Sequence, residues 1–233
     1  MINQDISFKE NQLKYPRVRT AYAEKGDYVV TLLEEHNLIK EDLRLFIRVF
    51  KDTEILEIWA SKSDQRSYKR ILEFPFCATS GDLGPKRVQG DGQIPEGFYH
   101  IDRFNPASNF YLSLGINYPN QSDRILGDPY SPGGDIFIHG NCVTIGCIPI
   151  TDQKIKELYI LAVEARNNGQ EKIPVHIFPS QLDEESFNFL SKRTEDTALT
   201  DFWKGLSGGY MFFERNLQLP LIKINAEGDY VIE

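Results

Sequence analysis

The sequence predicts a mainly β fold with helices, of the α+β class. Strand-like alternation of apolar and polar residues recurs through residues 43–180, where one long loop and one long helix interrupt it. Residues 1–42 and 181–233 include stretches with apolar residues at helical spacing instead. We therefore expect a β-rich central region, 43–180, between a helical N-terminal segment, 1–42, and a helical and aromatic C-terminal extension, 181–233.

The first elements are predicted from a change of period near residue 42. Apolar residues between positions 17 and 35 follow one helix face, and Gly26-Asp27 predicts a break between two helices. Leu43–Phe50 and Glu54–Ala60 then predict a β-hairpin across a three-residue connection. Further strands are predicted at Tyr68–Cys77, Phe98–Arg103, Tyr111–Tyr118, Asp135–His139 and Ile173–Phe178.

Two longer segments separate these strands. Residues 79–97 contain five Gly and two Pro and predict a long ordered loop of the kind that often carries function. Thr151–Arg166 predicts a helix, because its apolar residues have helical spacing and Thr151 or Asp152 can cap it. Asn168-Gly169 supplies the stop.

The composition is that of a folded, acidic chain. Hydrophobic residues make up 41% of the 233 positions and charged residues 26%, which excludes a disordered or collagen-like protein. The net charge of −8 disfavours non-specific binding to nucleic acid, which needs clustered Lys and Arg. No uncharged apolar run approaches the roughly 18 residues of a membrane span. The first twelve residues show no pattern of an export signal.

The chain has three cysteines, Cys77, Cys142 and Cys147. This odd, low number argues against a disulfide framework and leaves at least one thiol free. Cys77 lies beside two phenylalanines and is expected to be a buried thiol. A Cys142–Cys147 disulfide is a minor alternative. Zinc binding by His139, Cys142 and Cys147 is another, although a fourth ligand is missing.

The segment Asp135–Asp152 concentrates the chemistry. His139, Thr144, Gly146 and Cys147 lie within nine residues, between a predicted strand and the long helix. A cysteine nucleophile needs a nearby base and backbone amides for the developing oxyanion. The segment therefore predicts a thiol-dependent acyl transferase or hydrolase. If His139 activates Cys147, the pKa of the thiol should lie below the roughly 8.5 of a free cysteine.

The stretch IHGNCVTIGCIPITD, preceded by GDGQIPEGFYHI and LGINYPN, resembles the L,D-transpeptidase catalytic domain (YkuD-like) family, and within it the YafK-like murein subgroup. The resemblance covers roughly residues 40–180 and implies a β-sandwich catalytic domain. It makes Cys147 the nucleophile, His139 its proton acceptor, and the amides of Gly146 and Cys147 the oxyanion hole. Thr144 would orient His139 or donate near the site.

The resemblance also implies the substrate and its fate. The thiolate would attack the carbonyl between an L-configured centre and a terminal D-residue of a peptidoglycan stem, giving a thioester. An amine acceptor would then form a cross-link, and water would give cleavage. The chain departs from the family pattern at Ile145, where a second histidine is common, and at Pro149, where arginine is common.

Several residues receive weaker substrate-binding predictions. They are Gly140, Lys86, Arg87, Tyr111, Asn117 and Tyr118. Lys86 or Arg87 could hold a stem-peptide carboxylate, or could belong to a solvated turn. The aromatic residues could line the site or belong to the core.

The resemblance implies no metal or organic cofactor and predicts the periplasm or the cell envelope. The expected partner is peptidoglycan rather than nucleic acid. Two other function classes stay open: a non-catalytic wall-binding protein, and a cytosolic zinc or redox protein.

Overall fold

Eight strands form one continuous sheet in the computed structural model, which describes residues 6–233. They are β1 (Leu43–Phe50), β2 (Ile55–Lys62), β3 (Lys69–Pro75), β4 (Gly97–Asn105), β5 (Ser113–Ile116), β6 (Phe137–His139), β7 (Ile148–Pro149) and β8 (Ile173–Phe178). Their order across the sheet is β3-β2-β1-β8-β4-β5-β6-β7. The pairs β1–β8 and β6–β7 are parallel and the others antiparallel. The predicted mainly β, α+β architecture is confirmed.

Helices cover both faces of this sheet. They are α1 (Phe8–Gln12), α2 (Pro16–Glu35), α3 (Gln121–Leu126), α4 (Asp152–Asn167), α5 (Glu184–Ser191) and α6 (Thr197–Asn216). A small antiparallel sheet of β9 (Ile222–Ile224) and β10 (Tyr230–Ile232) closes the described chain. None of the helices within residues 6–233 is long and apolar enough to cross a membrane.

The N-terminal helices break at a different place from the one predicted. The chain leaves α1 after Gln12 and starts α2 at Pro16, while Gly26 lies inside the uninterrupted α2. Proline suits the first helical turn because it has no N–H to satisfy there. A glycine inside a helix costs only about 1 kcal/mol, which the packing of α2 along α4 offsets. Residues 1–5 of the predicted N-terminal segment lie outside the described residues.

Strand alternation divides the core into two layers. Val49, Tyr99 and Ile177 point toward the layer that contains α2 and α4. Their neighbours on the same strands, Phe50, Phe98 and Phe178, point to the opposite side and pack under α6. The C-terminal extension is therefore a second cover of the sheet, and the sheet lies between two helical layers.

The long helix α4 is confirmed. Thr151 accepts a hydrogen bond from the Lys154 amide and caps its start, and the helix ends at Asn167, before Asn168-Gly169. The short helix α3, with a capping box of Asn120 and Asp123, and the two-residue strand β7 were not predicted.

Candidate active site

The residues between His139 and Ile148 connect two neighbouring parallel strands, β6 and β7. Ile138 pairs with Ile148, and His139 pairs with Pro149. Cys147 directly precedes β7, and His139 is the last residue of β6. The register therefore brings the backbone of the predicted nucleophile next to the strand that ends at its predicted base.

Cys147 is the free thiol of the chain and is partly exposed. Its Sγ lies 3.7 Å from the carbonyl oxygen of Asp135, to which the thiol donates. The thiol opens into a cavity of about 660 Å³. Burial raises the pKa of this thiol, although a hydrogen bond from the backbone of Phe137 and the charge of Lys86 act in the opposite direction.

His139 is 1% exposed at the end of β6. Its Nδ1 lies against the carbonyl oxygen of Gly140, and its ring packs on Phe110 with centroids 4.6 Å apart. A carbonyl only accepts, so Nδ1 carries the proton and Nε2 is left as a free acceptor. Burial lowers the pKa of His139, although its bond to Gly140 acts in the opposite direction.

The pKa directions correct one prediction. A thiol pKa below that of free cysteine was expected, whereas burial raises the pKa of Cys147 and lowers that of His139. Within the described chain, no hydrogen bond joins the two side chains. Both directions favour the neutral forms of these two side chains over a preformed thiolate–imidazolium pair.

Thr144 holds the backbone at Cys147 rather than orienting His139. Its Oγ1 accepts from the amides of Gly146, at 3.1 Å, and Cys147, at 2.8 Å, and donates to the Cys147 carbonyl at 2.8 Å. The two amides predicted for an oxyanion hole are thus already hydrogen-bonded to this hydroxyl in the structure.

Two glycines of this segment leave no room for a side chain. Gly146 has φ +130°, and a Cβ there would lie 2.9 Å from the Gln93 carbonyl oxygen. A Cβ on Gly140 would lie 2.6 Å from a carboxylate oxygen of Asp152. Gly140, predicted as a substrate contact, therefore packs inside the loop and accepts the bond that fixes the His139 tautomer.

A disulfide between Cys77 and Cys142 overturns two predictions about cysteine. Cys77 is not a free buried thiol, and Cys142 does not pair with Cys147. The prediction that at least one thiol is free is confirmed, since Cys147 is unpaired. Cys142 is also removed from the proposed zinc ligands. Residues 65 apart in sequence meet here because Cys77 follows the outer strand β3 and donates its amide to Pro149 in β7, at 3.1 Å.

Among the weaker predictions, only Lys86 reaches the cavity that contains Cys147. Its ammonium is nearly buried and donates to Asp91, at 2.6 Å, and to the carbonyl of Val88, at 2.9 Å. Lys86 is therefore a charged part of the cavity wall whose partners are already in place.

The other four residues support the structure around the site. Arg87 lies 3.5 Å from Asp123 and over the ring of Phe202. Tyr111 packs against Arg17 and Lys156. The side chain of Asn117 accepts from the His100 amide, and the hydroxyl of Tyr118 donates to the carbonyl of Pro132 at 2.8 Å.

Most of the cavity wall was not predicted from the sequence. The wall includes Gln89, Gly90, the segment Tyr130–Ile136 and Ile145, in addition to Lys86 and Cys147. Tyr130 is 95% exposed and Ile145 is 86% exposed, so apolar side chains stand at the rim. The run YSPGGD just before β6 is rich in turn residues and was the available signal.

A thiol at the start of one strand and a buried histidine at the end of its neighbour form a candidate cysteine site in an α+β fold. Residues 46–177 match the model of the L,D-transpeptidase catalytic domain, YkuD. The chain is 34% identical over 190 residues to the candidate L,D-transpeptidase YafK of Escherichia coli (strain K12), covering 81% of this chain and 73% of that protein. This chain belongs to the L,D-transpeptidase catalytic domain family.

Solved structures give more distant matches. The helical cell shape determining protein Pgp2 from Campylobacter jejuni has a TM-score of 0.47 at 20% identity, over 79% of this chain and 73% of that one. L,D-transpeptidase 1 of Mycobacterium tuberculosis has a TM-score of 0.31 at 13% identity, over 58% and 62% of the two chains. Family membership rests on the sequence matches.

Proposed function

We propose that this protein is a cysteine enzyme that transfers acyl groups of peptidoglycan stem peptides through a thioester on Cys147. One observation carries the proposal: the free thiol opens into a cavity and directly precedes β7, whose partner strand β6 ends at a buried histidine with Nε2 left as a free acceptor. Both features lie in a domain of the L,D-transpeptidase family. A neutral imidazole is the form that can take a proton.

The reaction begins with proton transfer from the Cys147 thiol to Nε2 of His139. The sulfur attacks the carbonyl carbon of the scissile amide, and the C–N bond breaks as His139 returns the proton to the leaving amine. The terminal D-residue leaves, and the rest of the stem is held as a thioester. An amine acceptor then attacks the thioester carbonyl, forms a new amide and restores the thiol.

The cavity suggests how the donor is held. Lys86 presents its ammonium to the wall, where a stem-peptide carboxylate would compete with Asp91 for it. The amides of Gly146 and Cys147 remain the proposed oxyanion donors. They can serve only if the Thr144 hydroxyl leaves them when substrate binds, because Thr144 now accepts from both.

The disulfide supports a location outside the reducing cytoplasm. Disulfides persist in oxidising compartments such as the bacterial periplasm, and peptidoglycan is also found on that side of the inner membrane. The proposed location is therefore the periplasm or cell envelope. Trapping free thiols at the moment of cell lysis tests this: one reactive cysteine per chain is expected, and three would contradict it.

Product analysis with purified muropeptides tests the function. Wild type is expected to release the terminal D-residue from tetrapeptide stems or to form new dimers, and Cys147→Ala is expected to do neither. Conversion of cross-linked dimers to monomers would make water the acceptor and the protein a hydrolase. No product from any substrate would favour a non-catalytic wall-binding protein and would overturn the enzyme proposal.

A further inference from the structure

The wall loop, defined here as residues 84–96, forms one side of the cavity that contains Cys147. Lys86, Gln89 and Gly90 of this loop line the cavity. The carbonyl of Gln93 lies so close to Gly146 that no Cβ would fit between them. The position of the wall loop therefore sets both the width of the cavity and the path of the chain just before Cys147.

A buried ion pair closes the base of the wall loop. Lys51, at the end of β1, donates to the carbonyls of Gly84, at 2.7 Å, and Ile94, at 2.9 Å, and lies 3.0 Å from the Glu96 carboxylate. Glu96 is fully buried and its Oε1 also accepts from the Gly84 amide at 2.6 Å. The two ends of the loop are thus held together by one ammonium and one carboxylate.

The C-terminal helix α6 reaches the second oxygen of this carboxylate. The indole Nε1 of Trp203 donates to Oε2 of Glu96 at 2.8 Å, and Trp203 is 2% exposed. The preceding residue, Phe202, packs its ring on the guanidinium of Arg87, 4.9 Å away. Two consecutive residues of α6 therefore contact the wall loop.

We propose that Trp203 is a positioning residue for the site: through Glu96 it fixes the wall loop and so shapes the cavity at Cys147. The C-terminal extension is then a working part of the site as well as a cover for the sheet. The proposal rests on the proposed function only for its effect on turnover, since the geometry of the wall loop can be measured without substrate.

A purely structural role makes a different prediction. If α6 only covers the apolar face of the sheet, substituting any buried aromatic residue on it should change the reactivity of Cys147 to the same extent. Phe213 provides the matched control, because it is 1% exposed on the same helix and packs on Phe46 and Trp59, away from the wall loop.

The test compares Trp203→Phe with Phe213→Leu by the rate at which iodoacetamide alkylates Cys147 in the folded protein. Only Trp203→Phe loses a hydrogen bond to a charged group. Because that loss loosens the wall loop beside Cys147, we expect Cys147 to be alkylated about tenfold faster in this variant. In Phe213→Leu the rate should stay within about twofold of wild type, even if its melting temperature falls by as much as that of Trp203→Phe. Equal rates in both variants would overturn the proposal.

Turnover adds a second readout. With stem peptides, Trp203→Phe is expected to raise KM more than it lowers kcat, because the cavity wall is displaced while Cys147 and His139 are retained. Should no muropeptide be processed even by wild type, the proposed function fails and the alkylation result still decides this proposal. If Trp203→Phe does not fold, Glu96→Gln replaces it, because it alters the carboxylate through which Trp203 acts, and an unchanged alkylation rate there would contradict the proposal.

Discussion

Burial shifts the pKa values of Cys147 and His139 in opposite directions, and each shift favours the neutral form of its group. It raises the pKa of the thiol and lowers the pKa of the imidazole. Both shifts favour the neutral forms of the two groups. The proposed proton transfer from sulfur to Nε2 of His139 would then take place when the donor carbonyl approaches the sulfur.

The pH dependence of alkylation tests this neutral pair. Because the pKa of the Cys147 thiol is raised, the rate of iodoacetamide modification should still be rising above the roughly 8.5 of a free cysteine. Cys77 and Cys142 are joined and do not react, so Cys147→Ala supplies the background. A plateau well below that pH would show a thiolate–imidazolium pair and contradict the account.

Thr144 offers the second test at this scale. Its hydroxyl makes three hydrogen bonds to the backbone of Gly146 and Cys147, and Thr144→Val removes all of them with little change of shape. The substitution frees the two amides but also releases the backbone that positions Cys147. We therefore expect turnover to fall by about tenfold or more and the free energy of unfolding to fall by about 1–2 kcal/mol. Thr144→Ser keeps the hydroxyl and should stay near wild type. Equal activity in the valine and serine variants would show that the hydroxyl does not matter.

At the scale of elements, the disulfide anchors the loop that carries the site. Cys142 lies within the connection from β6 to β7, and Cys77 follows β3 at the other edge of the sheet order. The bridge therefore ties the loop before Cys147 to a strand distant in sequence. The same loop is also held by the Asn141 amide, which donates to Asp152 at the start of α4, at 2.8 Å.

Reduction of this bridge is expected to destabilise the protein. A cross-link of this sequence separation contributes about 2–4 kcal/mol, chiefly by restricting the unfolded chain. Denaturant unfolding of wild type with and without dithiothreitol should show a loss of that order. The double variant Cys77→Ser, Cys142→Ser should show no response to the reductant. An equal response in both proteins would mean that the bridge is not the cause.

The local spacing of apolar residues was sufficient to predict most of the helices and strands. The alternation in β1, β2 and β8 and the capped apolar repeat of α4 follow from neighbours in sequence, and all four lie close to the predicted positions. The two-residue strand β7 has no period to detect, since its pairing with β6 depends on the whole sheet. The break before Pro16 was not predicted, because proline favours a helix start at its own position while Gly26 is tolerated inside α2.

At the scale of the whole molecule, the candidate site combines local and distant parts. The segment from His139 to Cys147 was found because its chemistry lies within nine residues. The Cys77–Cys142 bridge, the contact between Trp203 and Glu96, and most of the cavity wall join residues far apart in sequence. Nothing in one sequence specifies such pairs, because they depend on how the layers pack around the sheet.

This layered arrangement gives each part a distinct task. The α2 and α4 layer buries the main apolar core, and the α6 layer covers the opposite face and reaches the wall loop through Trp203. Between them, the sheet brings the ends of β6 and β7 together at Cys147 and His139. The proposed function requires one chemical event at that place, the transfer of an acyl group to sulfur.

Intact-mass analysis of the protein after brief incubation with tetrapeptide muropeptides, stopped with acid, tests that event most directly. We expect a mass increase equal to the donor without its terminal D-residue, located by peptide mapping at Cys147 and absent from Cys147→Ala. The adduct should decay when an amine acceptor is added or on hydrolysis. Product formation that continues in Cys147→Ala, or an adduct on any other residue, would contradict the account.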